Sequence, residues 1–182
     1  MKKILLLSAA IFVLSAVSGV YAQKSASFTG HWELDTAKSK LDERMRVESM
    51  TLDVAQTDKD IKVETKTKRV LRPDAAPNGG GMGRGFGGGG GDTSMTYSLE
   101  GKETTAQQEG PNGPIPIKLT GKLDAGKLNL TSTRTFNGPN GEISIGTKET
   151  WSLSQDGTTL TISRETSSPR GLATSELVFI RK

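Results

Sequence analysis

An all-β fold is predicted by three features of this 182-residue chain. Apolar residues recur at every second position over most of its length. Tight turns bearing glycine, asparagine or aspartate separate these runs. No stretch beyond the N-terminal region carries helical spacing over several turns. Short turns join neighbouring antiparallel strands, so the prediction is an antiparallel up-and-down β-barrel of about ten strands.

The N-terminal residues stand apart. Lys2 and Lys3 precede an apolar stretch from Ile4 to Val17, and Val20-Tyr21-Ala22 ends on a small residue. This reads as a signal peptide over residues 1–22, cleaved after Ala22, and predicts a periplasmic or secreted protein. The stretch is short for a membrane anchor. Cleavage leaves 160 residues, 23–182, which is the size of one domain. The formal charge falls from +4 to +2, because Lys2 and Lys3 leave with the peptide.

The strands are expected in this order. Phe28–Leu34 opens the domain. Residues 47–56 carry Met50, Leu52 and Val54 against Thr51, Asp53 and Ala55. Residues 60–71 carry Ile61 and Val63, with Thr65 and Thr67 in the same phase. Met95, Tyr97 and Leu99 mark 93–99, and 102–108 follows the Glu100-Gly101 turn. Ile115, Ile117 and Leu119 mark 115–123; Leu128 and Leu130 mark 127–136. Ile143, Ile145, Trp151 and Leu153 mark 142–154, Leu160 and Ile162 mark 158–167, and 174–181 ends the barrel. The one helical turn expected is Thr36–Lys40, after Asp35 as a cap.

Residues 73–92 (PDAAPNGGGMGRGFGGGGGD) break this grammar. So glycine-rich a segment cannot offset its ordering entropy by burial, and a flexible loop is predicted. Gly85, Gly87 and Gly90 match a dinucleotide fingerprint only formally, since no helix follows to meet a phosphate. A second reading makes the loop a lid over a barrel mouth, with Met82, Arg84 and Phe86 as its adhesive residues.

Several chemistries are disfavoured. With no cysteine there are neither disulfides nor thiolate metal sites. His31 is the only histidine and has no second soft ligand nearby in sequence, so no metal and no cofactor are expected. No serine sits in a Gly-x-Ser-x-Gly elbow, and nothing singles out a carboxylate pair, so no catalytic residue is assigned and the chain is not read as an enzyme. The small net charge and the lack of a long basic run argue against nucleic acid. Seven aromatics after residue 22 are too few for the girdles of a membrane barrel, so the domain is not expected to be membrane-embedded.

Charge in the inward phase is the strongest site signal. Arg134 shares parity with Leu128, Leu130 and Phe136. Glu149 shares it with Ile143, Ile145, Trp151 and Leu153, and Arg164 with Leu160 and Ile162. On three consecutive strands these side chains are expected to face the interior and to pair, since buried charge costs several kcal/mol otherwise. A structural ion network is one reading. The other is a ligand-binding patch of Arg134, Glu149 and Arg164, whose surplus positive charge favours an anionic group.

Gly30-His31-Trp32 on the first strand and Arg181 on the last resemble the lipocalin closure, in which an arginine covers the tryptophan ring. The wider pattern resembles a group of uncharacterised exported bacterial lipocalin-like β-barrel proteins. It comprises Phe-x-Gly-x-Trp-x-Leu-Asp-x-x-Lys-Ser from Phe28 to Ser39, Thr-Arg-Thr-Phe at 133–136 and Glu-Thr-Trp-Ser-Leu-Ser-x-Asp-Gly at 149–157. The resemblance implies a barrel closed at Gly30, Trp32 and Arg181, with an interior that takes a small amphipathic or anionic molecule or a lipid. The alternative is a structural or interaction protein of the envelope whose barrel is filled and holds no ligand.

Overall fold

The structure is a computed structural model, and it describes residues 26–42, 47–70, 92–110, 113–138 and 141–182. The signal peptide read over residues 1–22 and the glycine-rich loop up to residue 91 lie outside the described residues.

Ten antiparallel strands make up the described chain: β1 Gly30–Leu34, β2 Val47–Gln56, β3 Asp60–Arg69, β4 Thr93–Ser98, β5 Thr104–Gly110, β6 Gly113–Asp124, β7 Lys127–Gly138, β8 Gly141–Leu153, β9 Thr159–Ser168 and β10 Gly171–Arg181. They form one sheet in the order β4-β3-β2-β1-β10-β9-β8-β7-β6-β5. The first and last strands therefore pair in the middle, with Trp32 opposite Arg181, and the sheet edges are the sequence neighbours β4 and β5. The sheet curls until β4 meets β6. Glu100 bridges to Lys122, and the Gly101 amide donates to the Gly121 carbonyl at 3.2 Å. Gly121 permits this approach. A Cβ there would lie 2.9 Å from the Ser98 carbonyl oxygen and 3.0 Å from Tyr97 Cβ. The result is a nearly closed barrel.

Where strand limits differ from the sequence-based expectation, the cause is local. The first strand begins at Gly30 rather than Phe28, because residues 26–29 cover the end of the barrel. Gln56 holds them there: its Oε1 accepts from the Phe28 amide at 2.9 Å and its Nε2 donates to the Ala26 carbonyl at 3.2 Å. The last strand begins early, at Gly171 opposite Ser168, where the glycine takes a φ of 103° after the two-residue turn. The expected helical turn is one turn only, closed by the Ser39 amide on the Asp35 carbonyl at 3.1 Å. Asp35 Oδ1 accepts from the Ala37 and Lys38 amides.

The two-residue rhythm places apolar side chains inward and charged ones outward. Phe28, Trp32, Leu119, Leu128, Leu160, Leu177 and Phe179 are fully buried, and Trp151 stands edge-on to Phe28 with ring centroids 6.1 Å apart. Each such side chain contributes about 1.5–3 kcal/mol of burial. Exposed Lys62, Lys66, Lys118, Lys122, Lys148 and Glu165 sit on the outer face, the reverse of a barrel wall that meets lipid. Among the described residues, no helix is long and apolar enough to cross a membrane.

One end of the barrel is sealed. It holds the turns after β2, β4, β6 and β8, the start of β1 and the end of β10. Arg181 stacks over Trp32, its guanidinium carbon 4.2 Å from the ring centroid, while Nε donates to the Gly157 carbonyl at 2.9 Å and an Nη to the Thr29 carbonyl at 2.7 Å. A Cβ on Gly30 would lie 2.6 Å from that pinned guanidinium, and Gly30 takes a φ of 151°. The Trp32 indole N–H donates to the Phe28 carbonyl at 3.0 Å and ties the N-terminal plug to the floor.

Candidate functional site

The inner face changes character along the barrel axis. Strand register ranks its side chains by depth. Just above Leu160 and Phe179 at the sealed end, the β7–β10 side carries a fully buried row: Leu128, Trp151, Ile162 and Leu177. The next row is Leu130, Glu149, Arg164 and Ser175. Above it come Ser132, Thr147, Thr166 and Ala173, all half-buried. These upper residues share the inward phase of the core yet keep solvent contact, so water reaches the inner face from the end opposite Arg181. That end is the mouth of a cup.

The predicted inward charges do face the interior, but they do not form one cluster. Arg164 and Glu149 are register partners, and Arg164 Nε donates to Glu149 Oε1 at 2.7 Å, with 22% and 14% of the two side chains exposed. The second carboxylate oxygen accepts the Trp151 indole N–H at 2.7 Å. Both oxygens of this mostly buried acid are thus engaged, one by a cation and one by a neutral donor.

Arg134 stands elsewhere. It is the register partner of Ile117 and Ile145, four positions along β8 from Glu149, which is roughly 13 Å nearer the mouth at 3.3 Å per residue. Its Nη1 donates to Gln108 Oε1 at 3.4 Å, and burial lowers its pKa from the ordinary arginine value. The expectation that all three charges pair is therefore corrected. Parity aligns residues on a face, whereas register sets their depth, and Arg134 lies too far along its strand to reach Glu149.

Tyr97 is the residue that sequence reasoning read only as core. Its side chain is buried against Gly121 of β6, and the hydroxyl donates to Met95 Sδ at 3.4 Å. Burial pushes its pKa well above the ordinary tyrosine value. The Glu149 charge acts in the same direction and Arg164 opposes it, so the hydroxyl lies within electrostatic reach of that pair. Gln108 was also overlooked. Its even parity with Thr104 and Ala106 on β5 was the available signal.

This arrangement supplies an apolar floor, a neutralised ion pair at mid-depth, a belt of hydroxyls and a cation near the mouth. It presents hydrogen-bond donors and apolar wall to one molecule at once. His31 lies on the outside of the barrel, where its Nδ1 contacts Asp53 of β2.

No protein-family model matches the chain, and no curated protein sequence matches it. Solved structures do resemble it. A secretary abundant heat soluble protein from Ramazzottius varieornatus, crystallised from a dimer sample, has a TM-score of 0.52 at 14% identity over 86% of this chain and 96% of its own. Zebrafish ileal bile acid-binding protein complexed with cholic acid has a TM-score of 0.48 at 16% identity, covering 85% of this chain and 98% of its own. A Schistosoma mansoni fatty acid binding protein in complex with arachidonic acid has a TM-score of 0.46 at 14% identity, covering 87% and 98%. The first of these similarities agrees with the barrel fold.

Proposed function

We propose that this protein is an exported binding module of the cell envelope, periplasmic or secreted, whose barrel takes up a small amphipathic or anionic molecule. The observation that carries the reading is the half-buried inner face of the mouth. Ser132, Thr147, Thr166 and Arg134 point inward in the same phase as Leu128 and Trp151, yet remain in contact with solvent. A barrel that served only as a folded body would gain from apolar residues there. Polar groups on an accessible concave wall are what fixes a ligand's orientation. Export rests on the charge and hydropathy pattern of residues 1–22.

A second reading is a structural or interaction protein of the envelope with a filled barrel. It is favoured by the sealed half, where Trp32, Trp151, Phe28 and Phe179 leave the floor fully occupied by side chains. A thermal-shift screen against lipids and small organic anions separates the two. The binding reading expects a rise in melting temperature that grows with ligand concentration. No shift from any class, together with an interior shown to be filled, would favour the second. A partner protein captured with the intact chain and lost when residues 74–92 are removed would do so as well.

A further inference from the structure

We infer that the cup takes an anionic amphiphile tail first and holds its head group at Arg134 near the mouth, with Arg164 serving the scaffold. This rests on the binding reading above and adds to it the polarity of the ligand and the residue that selects it.

The two inward arginines differ in what already meets them. Arg164 is neutralised by Glu149 at 2.7 Å, and the other oxygen of that acid holds the Trp151 indole. An incoming carboxylate at Arg164 would place a second negative charge against Glu149 in a poorly solvated site. It would also have to displace one of the acid's two hydrogen bonds. Arg134 has no such counterion: among the described residues only the neutral Gln108 carbonyl oxygen meets it, at a long 3.4 Å. Its lowered pKa agrees with a cation withdrawn from water without compensating charge. An anion at this position would supply the missing partner through charge-assisted hydrogen bonds.

The apolar surface lies in the matching place. Ile117 and Ile145 flank Arg134 on the adjacent strands and are buried. Toward the sealed end the wall continues through Leu119 and Leu130, with Tyr97 and Met95 packed in the same core from β4. A molecule whose charge sits at Arg134 thus directs its hydrocarbon toward the floor. The opposite orientation would put the head group beside Glu149, which is already neutralised by Arg164.

The test compares dodecanoate with dodecanol, which share a chain, on the full chain without its N-terminal 22 residues and on Arg134→Gln and Arg134→Lys variants with unchanged circular dichroism. The inference expects tighter binding of dodecanoate than of dodecanol. Arg134→Gln should lower affinity for dodecanoate by about tenfold or more and leave dodecanol unchanged, while Arg134→Lys keeps the preference. Fluorescence gives the orientation, because Trp151 and Trp32 both lie in the sealed half. Dodecanoate brominated on its terminal carbon should quench more strongly than the isomer brominated beside the carboxylate. Stronger quenching by the second isomer, or an Arg134→Gln variant with the preference intact, would overturn the inference and leave the binding module standing. If neither probe binds, nor any other amphiphile, the binding module falls too.

Discussion

The sealed half and the mouth half of this barrel are built from the same strands, yet their inner faces follow different rules. In the sealed half, inward positions hold large apolar side chains with almost no exposure, such as Trp32, Leu128, Leu160 and Phe179. In the mouth half the same strands turn Ser132, Thr147, Thr166 and Arg134 inward, and these keep solvent contact. Fully buried apolar side chains concentrate where the chain ends meet, and polar groups take a larger share of the inner face toward the opposite rim. The Glu149–Arg164 pair lies between the two halves, and the buried Ile117 and Ile145 beside Arg134 are apolar residues on its mouth side.

The comparison predicts unequal effects of mutation. The largest is expected for Trp151→Ala, which empties the floor, removes the donor to Glu149 and removes the edge contact with Phe28. It should cost about 3–5 kcal/mol by urea unfolding. A loss below 1 kcal/mol would show that the floor is not tightly packed. Next comes Glu149→Leu, which strands Arg164 in a site that is mostly buried. About 2 kcal/mol is expected, discounted because Arg164 keeps some contact with water. The double variant Glu149→Leu with Arg164→Met should recover most of that loss, since both charges are then gone.

At the mouth the changes should be small, and one should reverse sign. Thr67 Oγ1 is buried without a hydrogen-bond partner among the described residues. Thr67→Val should therefore stabilise the fold by about 1 kcal/mol, whereas Thr147→Val should stay within about 0.5 kcal/mol of the parent. A large loss at Thr147 would mean that the mouth is as tightly packed as the floor.

The smallest effect belongs to acid. At the β8–β9 turn the Asp156 carboxylate accepts from Ser154 Oγ, the Thr158 amide and Thr158 Oγ1, which hold its pKa at about 2 instead of 3.8. A depressed carboxylate contributes stability above its unfolded pKa and loses it as pH falls through the folded one. The urea midpoint of the parent should therefore fall more steeply between pH 4 and pH 2 than that of Asp156→Ala. Parallel curves would contradict this assignment.

Much of the barrel was legible in the sequence because alternation has a single physical cause: successive side chains on a strand point to opposite faces. Met50, Leu52 and Val54, or Leu160 and Ile162, reveal their face without any knowledge of a partner strand. Depth along the barrel is not encoded this way. Arg134, Glu149 and Arg164 share a phase, but only the register Leu130–Glu149–Arg164 shows that two of them meet and the third stands apart. Phe28 has the same apolar signature as a strand residue. Its role as a plug depends on Gln56, a contact 28 residues away that no local pattern announces. Tyr97 read as an apolar anchor, because the charges that act on its hydroxyl, Glu149 and Arg164, lie on other strands and leave no trace in its own.

The division of the inner face is directly measurable, because the chain has no cysteine of its own. Single variants Thr147→Cys and Leu128→Cys would be labelled with a thiol reagent under native conditions, with and without dodecanoate. The account predicts that the cysteine at 147 reacts readily and is protected by dodecanoate. The cysteine at 128 should react slower by about three orders of magnitude or more, because it waits for global unfolding. Equal protection at both sites without ligand would mean a barrel filled from end to end and would contradict the account.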